Sequence, residues 1–214
     1  MEPPLIKVIL TSNSTLHFAA DPSCWKRLKL RDGWCVWITG LPGSGKSTVA
    51  ETLIRFLLQR GIRAQLVSSD ELRKVLTPKP TYSPEERDIV YATLVYIAKL
   101  LTKNDVNVVI DATGNLRRYR DHARSQIPKF MEAYLECPLE VCIERESRRV
   151  DTRQAPQQIY KKALEGKAPT VPGIGQPYEP PLNPEIAINT AECIPEQAAQ
   201  KIMESILEKW YAKI

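Results

Sequence analysis

The segment WCVWITGLPGSGKS, Trp34 to Ser47, constrains the fold more than any other part of the chain. Trp34 to Thr39 is a continuous apolar run, as expected of a strand covered on both faces. It feeds directly into Gly40-Leu41-Pro42-Gly43-Ser44-Gly45-Lys46-Ser47, after which Val49, Leu53, Phe56 and Leu57 recur at helical spacing and Gly61 closes the helix. Strand, glycine turn and helix in that order make a P-loop. The glycines let backbone N–H groups turn inward around phosphate oxygens. Lys46 adds a point charge for the β- and γ-phosphates, Ser47 can reach Mg²⁺, and the helix N-terminus adds its dipole. The segment predicts ATP and Mg²⁺ as ligands, held by Gly40, Gly43, Ser44, Gly45, Lys46, Ser47 and Thr48.

Strand and helix patterns alternate through the rest of the chain. Short strands are expected at Ala64–Ser68, Val106–Asp111, Phe130–Glu136 and Glu185–Asn189. Helices are expected from Ser83-Pro84-Glu85-Glu86 to Lys103, then at Arg117–Ser125, Leu139–Ser147, near Pro156–Glu165, and at Pro195–Tyr211. The first of these opens with an N-cap serine, a proline at the first helical position and a glutamate at the third. Right-handed crossovers then give a three-layer α/β fold of the P-loop NTPase type, with a mostly parallel sheet, helices on both faces and a lid. Residues 1–25 read as an N-terminal extension with short strands at Leu5–Thr11 and Leu16–Ala19, and residues 26–214 as the kinase domain.

Ligands of such sheets sit beyond the carboxyl ends of the strands, where Asp70 and Asp111 fall beside the glycine loop. One carboxylate would hold Mg²⁺ through water, and one could accept a proton from an attacking hydroxyl. Asp70 could also cap the short helix that begins at Glu71. The concentration of arginines from Arg145 to Arg153, with Arg148 within it, suits a lid that covers a moving phosphoryl group.

Other classes fit less well. The formal net charge of +5 suits anionic ligands, but the basic residues are spread out, without the dominant stripe of a nucleic-acid binder. No run approaches the ~18 apolar residues that span a bilayer. Glu2 and two prolines stand where a signal peptide would carry positive charge. Five cysteines without CxxC spacing read as small buried hydrophobes of a reducing compartment. These features predict a cytoplasmic protein. His17 and His122 are isolated and have no metal-ligand companions.

Across roughly residues 25 to 205 the chain resembles adenylylsulfate kinases. WITGLPGSGKSTVAETL matches that family's opening, and SSDELR occupies its acidic motif, keeping Asp70 and Arg73 but with Ser68 at the first acid. TYSPEER matches a segment that places Tyr82 as the adenine-stacking aromatic and Arg87 as a substrate-binding arginine. PLEVCIER, IYKKALEG and GIGQPYEPPLNPEIAINT follow the family pattern in order. The resemblance implies transfer of the ATP γ-phosphate to the 3′-hydroxyl of adenosine 5′-phosphosulfate, with the acceptor held by Arg73, Tyr82, Arg87 and Arg118. It also implies a possible homodimer.

The departures lie on the acceptor side. Val90, Ala92 and Thr93 replace an Asn and paired Arg, Thr113-Gly114-Asn115-Leu116 replaces a serine-containing segment, and Val171 replaces a stacking phenylalanine. Residues Asp151 to Gln158 form an insertion. A kinase for another hydroxyl acceptor (a polynucleotide 5′-end, seryl-tRNA or a small metabolite) and an ATP-sensing module stay open on the residues alone.

Overall fold

In Cys35–Thr39 (β3), successive side chains enter different cores, which is how the sheet comes to be covered on both faces. The computed structural model describes residues 8–10, 16–18, 32–149 and 158–211. Val36 and Ile38 pack with Val49, Leu53 and Leu57 of Lys46–Gln59 (α1) and with Ile202, Met203 and Ile206 of Pro195–Trp210 (α7). Cys35 and Trp37 pack on the opposite face, with Tyr91, Leu94 and Ala98 of Pro84–Lys103 (α3) and Ala123 of Arg117–Gln126 (α4). Two separate cores and one intervening sheet make the three layers.

The sheet itself has five parallel strands. Ala64–Ser68 (β4) pairs with Asn107–Asp111 (β5), β5 with β3, β3 with Phe130–Glu136 (β6), and β6 with Ile186–Asn189 (β7). The strand order is β4-β5-β3-β6-β7. Because β3 is central, its carboxyl end opens between those of β5 and β6, and the glycine loop emerges there. Trp34 locks the other end of the domain. Its ring stacks on Trp210 at 5.5 Å and its indole N–H donates to Tyr211 at 3.1 Å.

Three further helices complete the domain: Ser69–Leu76 (α2), Leu139–Ser147 (α5) and Ile159–Leu164 (α6). The chain divides into two compact units, Met1–Arg31 and Asp32–Ile214. Within the first, Val8–Leu10 (β1) pairs antiparallel with Leu16–Phe18 (β2), and the remaining positions of the two expected strands lie outside the described residues. The helix expected near Pro156–Glu165 is shorter at both ends. Gln158 adopts a left-handed φ of 52° ahead of α6, Glu165 leaves the helix at the other end, and 156–157 lie outside the described residues. No helix among the described residues is long and apolar enough to cross a membrane.

Candidate active site

The glycine loop needs backbone conformations that a side chain would oppose. Gly43 and Gly45 sit at φ 83° and 95°, in the left-handed region. A Cβ on Gly43 would also lie 2.5 Å from the carbonyl oxygen of Cys142, so α5 passes against the loop too closely for any other residue. Gly40 lies outside the cavity lining, and a Cβ there would meet the Leu135 carbonyl and the Ser44 hydroxyl at 2.6 Å, so the strand end is also closely packed at this glycine.

The loop forms one wall of a cavity of about 760 Å³. Pro42, Gly43, Ser44, Gly45, Lys46, Ser47 and Thr48 line it, as do Asp70, just after β4, and Asp111, at the end of β5. Lys46 Nζ donates to the Leu41 carbonyl at 2.9 Å. Burial lowers the pKa of that ammonium, and the Asp111 and Asp70 carboxylates act in the opposite direction. Asp111 is 7% exposed. Its burial raises its pKa, against the Lys46 ammonium and a hydrogen bond with the Ser47 hydroxyl, both of which favour the carboxylate. Lysine, serine and aspartate thus form one charge-compensated cluster.

Asp70 does not cap α2, as the sequence had allowed. Ser68 is the cap, its hydroxyl accepting the Glu71 N–H at 3.5 Å. Asp70 falls in the first helical turn, half-buried, with its position on the cavity wall retained.

Arg73, Tyr82 and Arg87 line the same cavity. The Arg73 guanidinium lies 4.8 Å from the Tyr82 ring centroid, and that of Arg87 lies 5.9 Å away. Burial raises the Tyr82 pKa, with Arg73 opposing. Arg87 donates to the Thr170 carbonyl at 2.5 Å and to the Tyr82 carbonyl at 3.2 Å, which joins the start of α3 to the proline-rich loop. Val171, the residue in place of a stacking phenylalanine, also lines the cavity.

Two expected residues are not brought here. Arg118 points from α4 to Asp88 on α3 at 2.5 Å, is exposed, and lies outside the lining. Arg148 caps the end of α5 and turns back to Glu144 at 2.7 Å on the helix's exposed side. Arg145 and Arg149 line the cavity instead, as do Lys162 and Lys167. Arg145 is fixed by donation to the Thr190 carbonyl at 2.8 Å, and Tyr160 of α6 donates to the Pro42 carbonyl at 2.8 Å, tying that segment to the loop. Arg153 lies outside the described residues.

Similarity to known proteins agrees with this geometry. The adenylylsulphate kinase family model matches residues 32–189. A probable adenylyl-sulfate kinase of Pseudomonas aeruginosa is 36% identical over 178 residues, covering 83% of this chain and 79% of that protein. An adenylyl-sulfate kinase of Halothermothrix orenii is 35% identical over 187 residues, 87% of this chain and 96% of the relative. The chain belongs to the adenylylsulphate kinase family. Among solved structures, the Mycobacterium tuberculosis APS kinase CysC in complex with AMPPNP and APS superposes with a TM-score of 0.73 at 31% identity, covering 82% of this chain and 98% of that one. A shikimate kinase of Acinetobacter baumannii, 16% identical with a TM-score of 0.57, shares the fold.

Some cavity-lining positions of this adenylylsulphate kinase family member carry no clear signal in the sequence. Lys162 and Lys167 sit in IYKKALEGK, a stretch that resembles the family but carries no charge-specific signal of its own. Thr113 also lines the cavity, and its carbonyl accepts from the Thr39 hydroxyl at 2.6 Å, a contact between the end of β3 and the loop after β5 that no local pattern announces. Among the described residues no cluster of three or more acidic, histidine or cysteine side chains could cage a metal.

Proposed function

We propose that this protein transfers the γ-phosphoryl group of ATP to the 3′-hydroxyl of adenosine 5′-phosphosulfate, yielding ADP and 3′-phosphoadenylylsulfate. The observation that carries this reading is a single cavity lined by both a glycine-loop phosphate cradle and the Arg73–Tyr82–Arg87 platform. A direct transfer needs donor and acceptor in one enclosure, in line and shielded from water.

The left-handed glycines and the N-terminus of α1 would receive the β- and γ-phosphates, with Lys46 as the point charge. The oxygen donors Ser47, Asp70 and Asp111 suit Mg²⁺, which takes few protein ligands and keeps much of its shell from phosphate and water. When bound, Mg²⁺ supplies positive charge against the phosphate oxygens. Asp111 would orient the Ser47 hydroxyl through their shared hydrogen bond. Tyr82 would stack on the acceptor's adenine, while Arg73 and Arg87 face its anionic groups.

The acceptor 3′-oxygen attacks the γ-phosphorus as the bond to the β–γ bridging oxygen breaks. That oxygen leaves with the bonding electrons on ADP, and Asp70 accepts the hydroxyl proton. Arg145 and Arg149, with Lys162 and Lys167, bring positive charge to the same cavity. Purified protein is assayed for ATP consumption with adenylylsulfate beside a panel of other hydroxyl acceptors. Stimulation by adenylylsulfate above all others is expected, and no stimulation by it removes the proposal.

A further inference from the structure

Glu86 takes no direct part in the proposed transfer and lies outside the cavity lining. Glu86 occupies the third position of α3, where a capping box would turn its carboxylate back onto the N–H of the cap residue Ser83. Only half of that box forms. The Ser83 hydroxyl accepts the Glu86 N–H at 3.2 Å, but the Ser83 N–H goes to the Thr81 hydroxyl at 3.3 Å. The Glu86 carboxylate is thereby released to reach past the cap into the preceding turn.

There it takes four donors. Oε2 accepts the Thr81 N–H at 2.5 Å, the Thr81 hydroxyl at 2.8 Å and the Tyr82 N–H at 3.1 Å. Oε1 accepts Arg73 Nη1 at 2.5 Å. The carboxylate is buried, and so is its arginine partner. Tyr82 meanwhile holds φ at 57°, a left-handed conformation that a bulky residue adopts only when its surroundings enforce it. The same carboxylate thus fixes the backbone of the ring and the guanidinium stacked on that ring at 4.8 Å.

We infer that Glu86 is a positioning residue for the phosphoryl acceptor, a clamp that sets Tyr82 and Arg73 relative to each other before the acceptor arrives. Burial alone would raise the Glu86 pKa. Hydrogen bonds from Thr81 and Tyr82, with the charge of Arg73, outweigh it and lower the value, so the clamp stays ionised at neutral pH. Glutamine cannot replace it. One amide atom would be an NH₂ group, facing either Arg73 or the Thr81 and Tyr82 N–H groups, and donor would oppose donor on that side.

This inference rests on the proposed adenylylsulfate reaction, and its test separates the two. Steady-state kinetics with ATP and adenylylsulfate varied in turn are compared for wild type, Glu86→Gln and Glu86→Asp. Amide hydrogen exchange at Thr81 and Tyr82 is measured in the same proteins without any acceptor. Losing charge-assisted bonds should raise the acceptor KM of Glu86→Gln roughly 10- to 100-fold while the ATP KM stays within about twofold. Glu86→Asp, which keeps both oxygens, should recover part of that loss. Exchange at the two amides should accelerate at least about tenfold in Glu86→Gln. An ATP KM that rises in step with the acceptor KM overturns the inference, as does unchanged exchange in both variants. Wild type that ignores adenylylsulfate removes the proposed acceptor alone, and the exchange rates still decide the clamp.

Discussion

Arg120 is the side chain whose loss should be felt most widely. It is 1% exposed and lies outside the cavity lining. Its Nε donates to Glu132 Oε1 on β6 at 2.5 Å, one terminal nitrogen donates to the Gly114 carbonyl, and the other to the Glu179 carbonyl at 2.6 Å. Arg120→Met keeps most of the stem's volume but removes every one of these donors. Breaking a buried pair from one side costs about 3–5 kcal/mol, because the surviving charge is left uncompensated. Here Arg124 remains 3.6 Å from the other Glu132 oxygen, so the lower end, about 3 kcal/mol, is the expected cost. For a domain of this size that corresponds to a fall in Tm of about 6–12 °C. Differential scanning calorimetry of Arg120→Met, Glu132→Leu and the double variant measures it. The double variant should recover much of the loss, since replacing both partners removes the buried charge as well as its partner. A single variant that melts within about 2 °C of wild type would refute the reasoning, as would a double variant whose loss is the plain sum of the singles.

Two other predictions follow from the same geometry. Gly43→Ala and Gly45→Ala both force a left-handed alanine, at about 1–2 kcal/mol each, but only Gly43 faces a backbone carbonyl at 2.5 Å, with nothing within 4 Å of a Cβ on Gly45. Thermal melts should therefore rank Gly43→Ala clearly below Gly45→Ala, and equal melting temperatures would dismiss the close passage of Cys142. In acid, Glu185 is the group to watch. Burial pushes its pKa up, yet hydrogen bonds from Arg124, the Glu132 N–H and Lys209 prevail and bring it down to about 2. A carboxyl whose folded pKa is depressed stabilises above its unfolded value of about 4.3 and loses that contribution as pH falls toward 2. Denaturant melts of Glu185→Gln should show a shallower loss of stability between about pH 4.5 and 2 than wild type, and parallel curves would rule the pairing out.

What the sequence revealed, and what it hid, divides by the range of the contacts involved. β3, the glycine loop and α1 are legible because strand period, turn chemistry and helix period all act within one contiguous stretch, Trp34 to Gln59. The ends of β4 and β5 are legible for the same reason, and they bring Asp70 and Asp111 to the loop. Glu86 was visible only as a helix-start residue, since nothing local shows that Thr81 would take the Ser83 N–H and release the carboxylate. Arg118 and Arg148 were placed by position along the chain, but long side chains follow the nearest carboxylate, and Asp88 and Glu144 claimed them. The buried Arg120–Glu132 pair joins helix α4 to the internal strand β6, where no spacing rule reaches.

The most direct test of the account is formation of 3′-phosphoadenylylsulfate from ATP, Mg²⁺ and adenylylsulfate, compared between wild type and Lys46→Ala. The account predicts adenylylsulfate-dependent product from the wild type and a loss of at least about 100-fold in the variant, with its fold intact by circular dichroism. Wild type that makes no such product, or a variant that matches it, would contradict the account.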